Sequence, residues 1–339
     1  MEQVFLRLPA HLKEGYAKGK ESVAKPLSNI PRALLFCGVG GSGAGGSVLR
    51  RILLPFLPFP FLTIAAPPLP PWVDSETLCI VSSYSGHTEE TLALAREAKN
   101  RKAFLVFCTS GGPLRELRED HEVLLLLPGG LQPRCALGYT VGGLLGVFEG
   151  LFPVLAFQKD LEETVTVLRE LLPEYARGGF PLEVAKAIAG TIPVAVGFAH
   201  YTDFASWRFK TQLNENAKHT AFASTLPEAM HNEIVGFSHP SSLPLSFLFF
   251  HDPEEPVFFT TMARAYAKHV TGKGMPVFEV WAKGESPLAR AMSLVAFADW
   301  VSLHLARLHG EDPVSIPAIR HLKHLFRKLE CTFEGGGKA

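Results

Sequence analysis

The chain has no excess of charge of either sign: 33 lysines and arginines stand against 33 aspartates and glutamates in 339 residues. Without a basic surplus there is no electrostatic footprint for nucleic acid or an anionic membrane. Cysteine is scarce, at five (Cys37, Cys79, Cys108, Cys135, Cys331), and none are spaced Cys-x-x-Cys. Structural zinc is therefore not expected, and three of the five sit in or at the end of apolar strand-like runs, as buried thiols of a reducing cytoplasm do. The one long apolar stretch, residues 53–71, contains seven prolines and cannot cross a bilayer as a helix. Glu2 and Arg7 interrupt any apolar run at the start, so no signal peptide is expected. Histidine is plentiful, but no His-Glu-x-x-His pattern occurs, and His321 and His324 read as surface residues of a helix.

What the chain does have is alternation. Residues 33–37, 78–81, 103–108 and 123–127 read as two-sided apolar strands, with helices at 43–54, 88–100 and 114–119 between them. A glycine-rich helical stretch at 138–151 closes this unit, and a helical connection follows at 160–175. The pattern then restarts with strands at 192–197, 245–250 and 277–281 and helices at 202–218, 257–270 and 288–309. This predicts an α/β chain of two doubly wound parallel-sheet domains in tandem, residues 1–155 and 156–330, with a tail at 331–339. Ligands of such sheets bind beyond the carboxyl ends of the strands. The first strand of the second unit ends in Gly197-Phe198-Ala199-His200, without a hydroxyl cradle, so only the first unit looks equipped for phosphate.

Two loops of that first unit carry the chemistry. Ser82-Ser83-Tyr84-Ser85-Gly86-His87-Thr88-Glu89-Glu90-Thr91 follows a strand and opens a helix. Ser83, Ser85 and Thr88, with the unpaired amides of the first helical turn, would converge on an anion. The same residues also suit plain helix capping, by Thr88 with Glu89 and Glu90 at the positive end of the dipole. Gly38-Val39-Gly40-Gly41-Ser42-Gly43 matches the dinucleotide pattern Gly-x-Gly-x-x-Gly, yet the acid expected about 20 residues later is missing. Pro58, Phe59 and Pro60 occupy that window, which disfavours a nicotinamide cofactor, and no Gly-Lys-Ser/Thr follows to make a Walker loop. What remains is backbone room and the Ser42 hydroxyl at a helix start. Facing each other, the two loops would embrace one small phosphorylated ligand.

Asparagine occurs only five times, and three of those, Asn214, Asn216 and Asn232, fall in two short segments. In Asn214-Glu215-Asn216-Ala217-Lys218, asparagines beside a glutamate could orient its carboxylate as a general base. His231 of His231-Asn232-Glu233 would be a second proton carrier. The plain alternative pairs Glu215 with Lys218 on a helix face and leaves His231 in an ordinary turn.

Gly40-Gly41-Ser42-Gly43, the serine loop, Pro133-Arg134, Asn214-Glu215-Asn216-Ala217-Lys218, His231-Asn232-Glu233 and Lys323 occur in the order seen in bifunctional phosphoglucose/phosphomannose isomerases. The chain resembles that family, built of two SIS (sugar isomerase) domains with a helical connection and a C-terminal helix, over residues 30–328. The resemblance implies phosphate contacts at Ser42, Ser83, Ser85 and Thr88, with backbone room at Gly41. It implies that Glu215 moves a proton between C1 and C2 of the open sugar, Arg134 stabilises the enediolate, and His231 with Lys323 assists ring opening. It further implies glucose 6-phosphate, fructose 6-phosphate and mannose 6-phosphate as substrates. No metal or organic cofactor is implied. In the family the counterpart of His231 comes from the neighbouring subunit, so a homodimer with shared sites is expected. The departures are His87, where the family commonly has asparagine, and the proline- and phenylalanine-rich stretch 50–71. The rival classes are a sugar-phosphate sensor lacking catalysis, a SIS isomerase of another sugar phosphate, an amidotransferase's isomerase half, and a dehydrogenase. A sensor predicts loss of Glu215 or His231, and both are present; an amidotransferase needs a glutaminase domain for which this chain has no room.

Overall fold

A computed structural model of the chain describes residues 1–239 and 243–335. Among the described residues, nine strands form two sheets. The first holds β1 (Ala33–Gly38), β2 (Phe61–Ile64), β3 (Thr77–Ser82), β4 (Phe104–Thr109) and β5 (Val123–Leu126), in the order β2-β1-β3-β4-β5. The second holds β6 (Ile192–Phe198), β7 (Phe222–Leu226), β8 (Leu245–His251) and β9 (Val277–Trp281), in the order β7-β6-β8-β9. Every pairing is parallel, and β1, β3 and β8 are buried along their whole length, as strands covered on both faces must be. In each sheet the chain goes out to one side and returns to the other, so the crevices for ligand open between β1 and β3 and between β6 and β8.

The expected doubly wound architecture is present in both halves. Edge strands β2 and β7 were not anticipated. Pro58, Pro60, Pro67 and Pro68 crowd around β2, and an edge tolerates missing amide donors that a central strand would not. Two N-terminal helices, Glu2–Leu6 and Leu8–Glu21, were also not anticipated. The second lies backbone to backbone against the helix Leu137–Leu151, where a Cβ on Gly19 or Gly142 would run into the carbonyl oxygens of Gly143 and Leu12. That close approach accounts for Gly15, Gly19, Gly142 and Gly146.

Helices Gln158–Arg177 and Gly179–Ile188 join the halves, and one buried apolar cluster runs through both, including Phe36, Phe148, Leu168, Phe250 and Trp300. Its spine is the helix Pro287–His309. That helix is long and apolar enough to cross a membrane, but its apolar window is entirely buried inside the protein. Naming 53–71 as the one long apolar stretch overlooked it. The last helix, Pro317–Gly335, extends into the segment read as a tail. Cys37, Cys79, Cys108 and Cys135 are free and buried.

Candidate functional site

β1 and β3 are neighbours in register, Gly38 opposite Ser82, so the loops that leave them stand side by side. The glycine loop enters the helix Gly40–Leu53 at once, and Ser42 Oγ accepts from Tyr84 N of the serine loop at 3.0 Å. Within the serine loop, Ser83 Oγ lies 2.8 Å from Thr88 Oγ1 and accepts from Gly86 N at 3.1 Å. Thr88 is the N-cap of the helix Glu89–Asn100, but its side chain makes no capping bond. The capping alternative is thereby corrected: the hydroxyl turns to Ser83, and the first-turn amides are left without a side-chain acceptor, in the state that suits an anion. Ser85 and His87 are exposed. Ser85 Oγ accepts from His87 N at 3.3 Å, and His87 Nδ1 donates to Ser85 O at 2.7 Å.

Tyr84 anchors the loop from below. Its hydroxyl donates to Pro128 O at 2.7 Å and accepts from Leu131 N at 2.9 Å, tying the loop to the segment that leads into Arg134. The glycine loop touches the same turn, since a Cβ on Gly41 would sit 2.8 Å from Arg134 N. The room expected at Gly41 is used here by the protein's own backbone.

Arg134, in the turn Pro133–Cys135, is 2% exposed, and its guanidinium is held on three sides. Nη1 donates to Glu215 Oε2 at 3.2 Å, Nε to Asn216 Oδ1 at 2.7 Å, and Nη2 to Pro313 O at 2.6 Å. Glu215 is half-buried near the end of the helix Asp203–Asn216. The asparagines do not orient it as expected. Asn216 binds Arg134 and donates to Ser302 Oγ at 2.9 Å, while Asn214 Oδ1 accepts from Ala221 N at 3.1 Å. Nor does Lys218 pair with Glu215, because its ammonium donates to the carbonyls of Asn216 and Asp312. The carboxylate is oriented by the arginine, an ion pair with one member buried and the other partly exposed.

Sequence reasoning missed the bed beneath this pair. Arg208 Nη2 donates to Arg134 O at 2.8 Å, Arg208 Nε to Asp299 Oδ1 at 2.9 Å, and Gln212 Nε2 to the same oxygen at 2.7 Å. Burial holds the Asp299 carboxyl above the usual range, with Arg208 opposing. A usable signal existed: Asp299 is the one acid in the apolar helix Pro287–His309, and a buried charge demands partners. Burial also pushes the neighbouring Cys135 thiol up to about 11, so it offers no thiolate beside the site.

His231 and Lys323 are not brought to this cluster within one chain. His231 ends the turn Glu228–His231 and is exposed, and Lys323 is exposed on the helix Pro317–Gly335. Among the described residues, no hydrogen bond or ion pair joins either to Glu215, Arg134 or the serine loop.

Comparison with known proteins gives this geometry a family. The family model for the bacterial phospho-glucose isomerase C-terminal SIS domain matches residues 181–325. A curated relative, the bifunctional phosphoglucose/phosphomannose isomerase of Caldicellulosiruptor bescii, is 34% identical over 95% of this chain and 98% of its own. The D-glucosamine-6-phosphate 4-epimerase of Sulfolobus acidocaldarius is 31% identical over 65% of this chain and 69% of its own. Among solved structures, a hypothetical protein from Thermus thermophilus superposes with a TM-score of 0.71 at 18% identity, over 96% of this chain and 89% of that one, a likeness of fold. With a relative this similar end to end, the chain belongs to the bifunctional phosphoglucose/phosphomannose isomerase family.

Proposed function

We propose that this protein interconverts glucose 6-phosphate and fructose 6-phosphate, and mannose 6-phosphate and fructose 6-phosphate, by proton transfer through a cis-enediol. The Glu215–Arg134 pair, beside two hydroxyl-bearing loops at a sheet's carboxyl edge, carries the reading. Ser42, Ser83, Ser85, Thr88 and the amides of the first turn anchor the phosphate. Glu215 takes the proton from C2 of the aldose and returns it to C1. Arg134, whose partner is neutralised at that moment, holds the charge developing on the enediolate oxygens. The first half, residues 1–155, thus supplies the anchor and the cation, and the second, 156–330, the base.

His231 and Lys323 open the sugar ring, and His231 reaches the site from a second copy. In support, both are exposed, and the helix bearing Lys323 also exposes Leu322 at 67% and Phe326 at 55%. A homodimer that covers this apolar face would bring such groups to a neighbour's cleft. The protein works in the cytoplasm, in keeping with its buried free thiols.

The test is a coupled assay on the three hexose phosphates, with and without chelator, on wild type and Glu215→Gln. Wild type turns over both pairs with chelator present, and the variant loses turnover while still binding a phosphate ester. Normal activity in Glu215→Gln sinks the assignment of the base. Epimerisation of glucosamine 6-phosphate at C4 without isomerisation would move the chain to the other reaction represented among its relatives.

A further inference from the structure

The second sheet has its own crevice between the carboxyl ends of β6 and β8, where an open α/β sheet takes a ligand. No hydroxyl loop serves it, yet the structure furnishes it from four separate segments. A cavity of about 430 Å³ is lined by Arg51 at the end of the helix Gly40–Leu53, by His200 and Tyr201 after β6, by Glu254 after β8, and by Arg290 in the first turn of the helix Pro287–His309. That volume suits a small metabolite.

The two arginines are out of water, Arg51 at 8% and Arg290 at 6% exposure, and they share one buried carboxylate. Arg51 Nη2 donates to Asp252 Oδ2 at 2.7 Å, whereas Arg290 Nε lies 2.8 Å from Asp252 Oδ1 without the alignment of a hydrogen bond. The other acids nearby are engaged or peripheral. Glu163 accepts from Glu285 N and Ser286 N, and Glu254 is exposed at the rim. With Glu163 also acting on Arg290 the charges balance, and what the cavity offers an incoming anion is the donor capacity of the two guanidinium groups that line it. His200 Nδ1 accepts from Arg50 Nη2 at 3.0 Å, which fixes the ring hydrogen on Nε2 as a donor. The Tyr201 ring lies 5.3 Å from the Arg51 guanidinium and holds it in place.

We propose that this crevice is a second anion site, which binds the phosphate group of a small phosphate ester independently of the serine loop. Arg51 stands nine residues along its helix from Ser42, about 14 Å away on the axis, so the two sites do not overlap. A ligand here joins the first half's helix to the second half's sheet.

Calorimetric titration with inorganic phosphate and with glucitol 6-phosphate, which has no carbonyl to isomerise, decides it. Wild type binds two per chain, and Ser83→Ala/Thr88→Val removes one and spares the other. His200→Ala weakens the remaining site about fivefold, and Arg290→Gln about tenfold or more, as loss of a charge-assisted contact requires. Glu254→Gln strengthens phosphate binding severalfold by removing a like charge from the rim. His200 and Glu254 are at the surface, so these variants answer even if Arg290→Gln fails to fold. A single site per chain that Ser83→Ala/Thr88→Val removes, or a second site indifferent to all three crevice substitutions, overturns the inference. A single site that those serine-loop substitutions spare and the crevice substitutions weaken overturns the serine loop as phosphate anchor and leaves this one standing.

Discussion

Arg134 and Glu215 satisfy each other at 3.2 Å, and the proposed reaction uses that balance. When Glu215 takes a proton its charge disappears, and the fixed guanidinium is left facing the enediolate with no reorganisation to make. Arg134→Ala is therefore expected to lower kcat about a hundredfold or more while KM changes less than about tenfold. Steady-state kinetics check it, and a pure KM effect would assign Arg134 to phosphate instead. Arg134→Lys keeps the charge but not the three-sided clamp, and should fall between. Neither partner's position was legible from spacing, since 81 residues separate them and only the motif order linked them. The asparagines were rightly singled out, but as partners of Arg134 and the backbone. Composition shows that a residue type is concentrated and is silent on which way its amide points.

The loops and helices show why some elements were readable and others were not. The central strands β1, β3 and β8 announce themselves as apolar runs, because burial on both faces leaves no other choice. Edge strands β2 and β7 lack that constraint, and their polar or proline-flanked sequences resemble loops. The serine loop was legible as a turn, and its tightness rests on Gly86, which has φ 71° and no space for a Cβ against Gly111 O. Gly86→Ala is expected to cost about 1–3 kcal/mol in chemical denaturation and to raise KM for sugar phosphate more than kcat falls. An unchanged KM would show that the loop does not hold the phosphate. At the helix pair Leu8–Glu21 and Leu137–Leu151, His11 stacks on Tyr139 at 4.3 Å with no partner for Nδ1. Burial, assisted by Arg7 and opposed by Glu14, brings its pKa from 6.5 down to about 4. The folded state therefore binds this proton less readily than the unfolded chain. Its contribution is complete above pH 6.5 and is lost as pH falls from there toward about 4. His11→Phe should flatten the fall of Tm across that window, and an unchanged slope would assign the acid sensitivity elsewhere.

At the scale of the whole molecule, a continuous core and the hydrogen bond from Arg208, itself held by Asp299, to Arg134 O join the two halves around Arg134. The joined body holds Glu215 and Arg134 together and leaves His231 and Lys323 exposed and apart from them. The proposed sharing of a site between two copies would bring His231 in, and it makes a prediction that a self-contained site does not. Glu215→Gln and His231→Ala should each be inactive or nearly so alone, because every site in either homodimer lacks one member. When the two variants are unfolded together, refolded and paired at random, about half of the dimers are mixed, and each carries one site with both Glu215 and His231 intact. Activity should therefore return to about a quarter of the wild-type value. Light scattering on the same sample reports whether dimers form at all. Dimers without recovered activity would place His231 in the cleft of its own chain, and a fully active monomer would remove the neighbour from the mechanism.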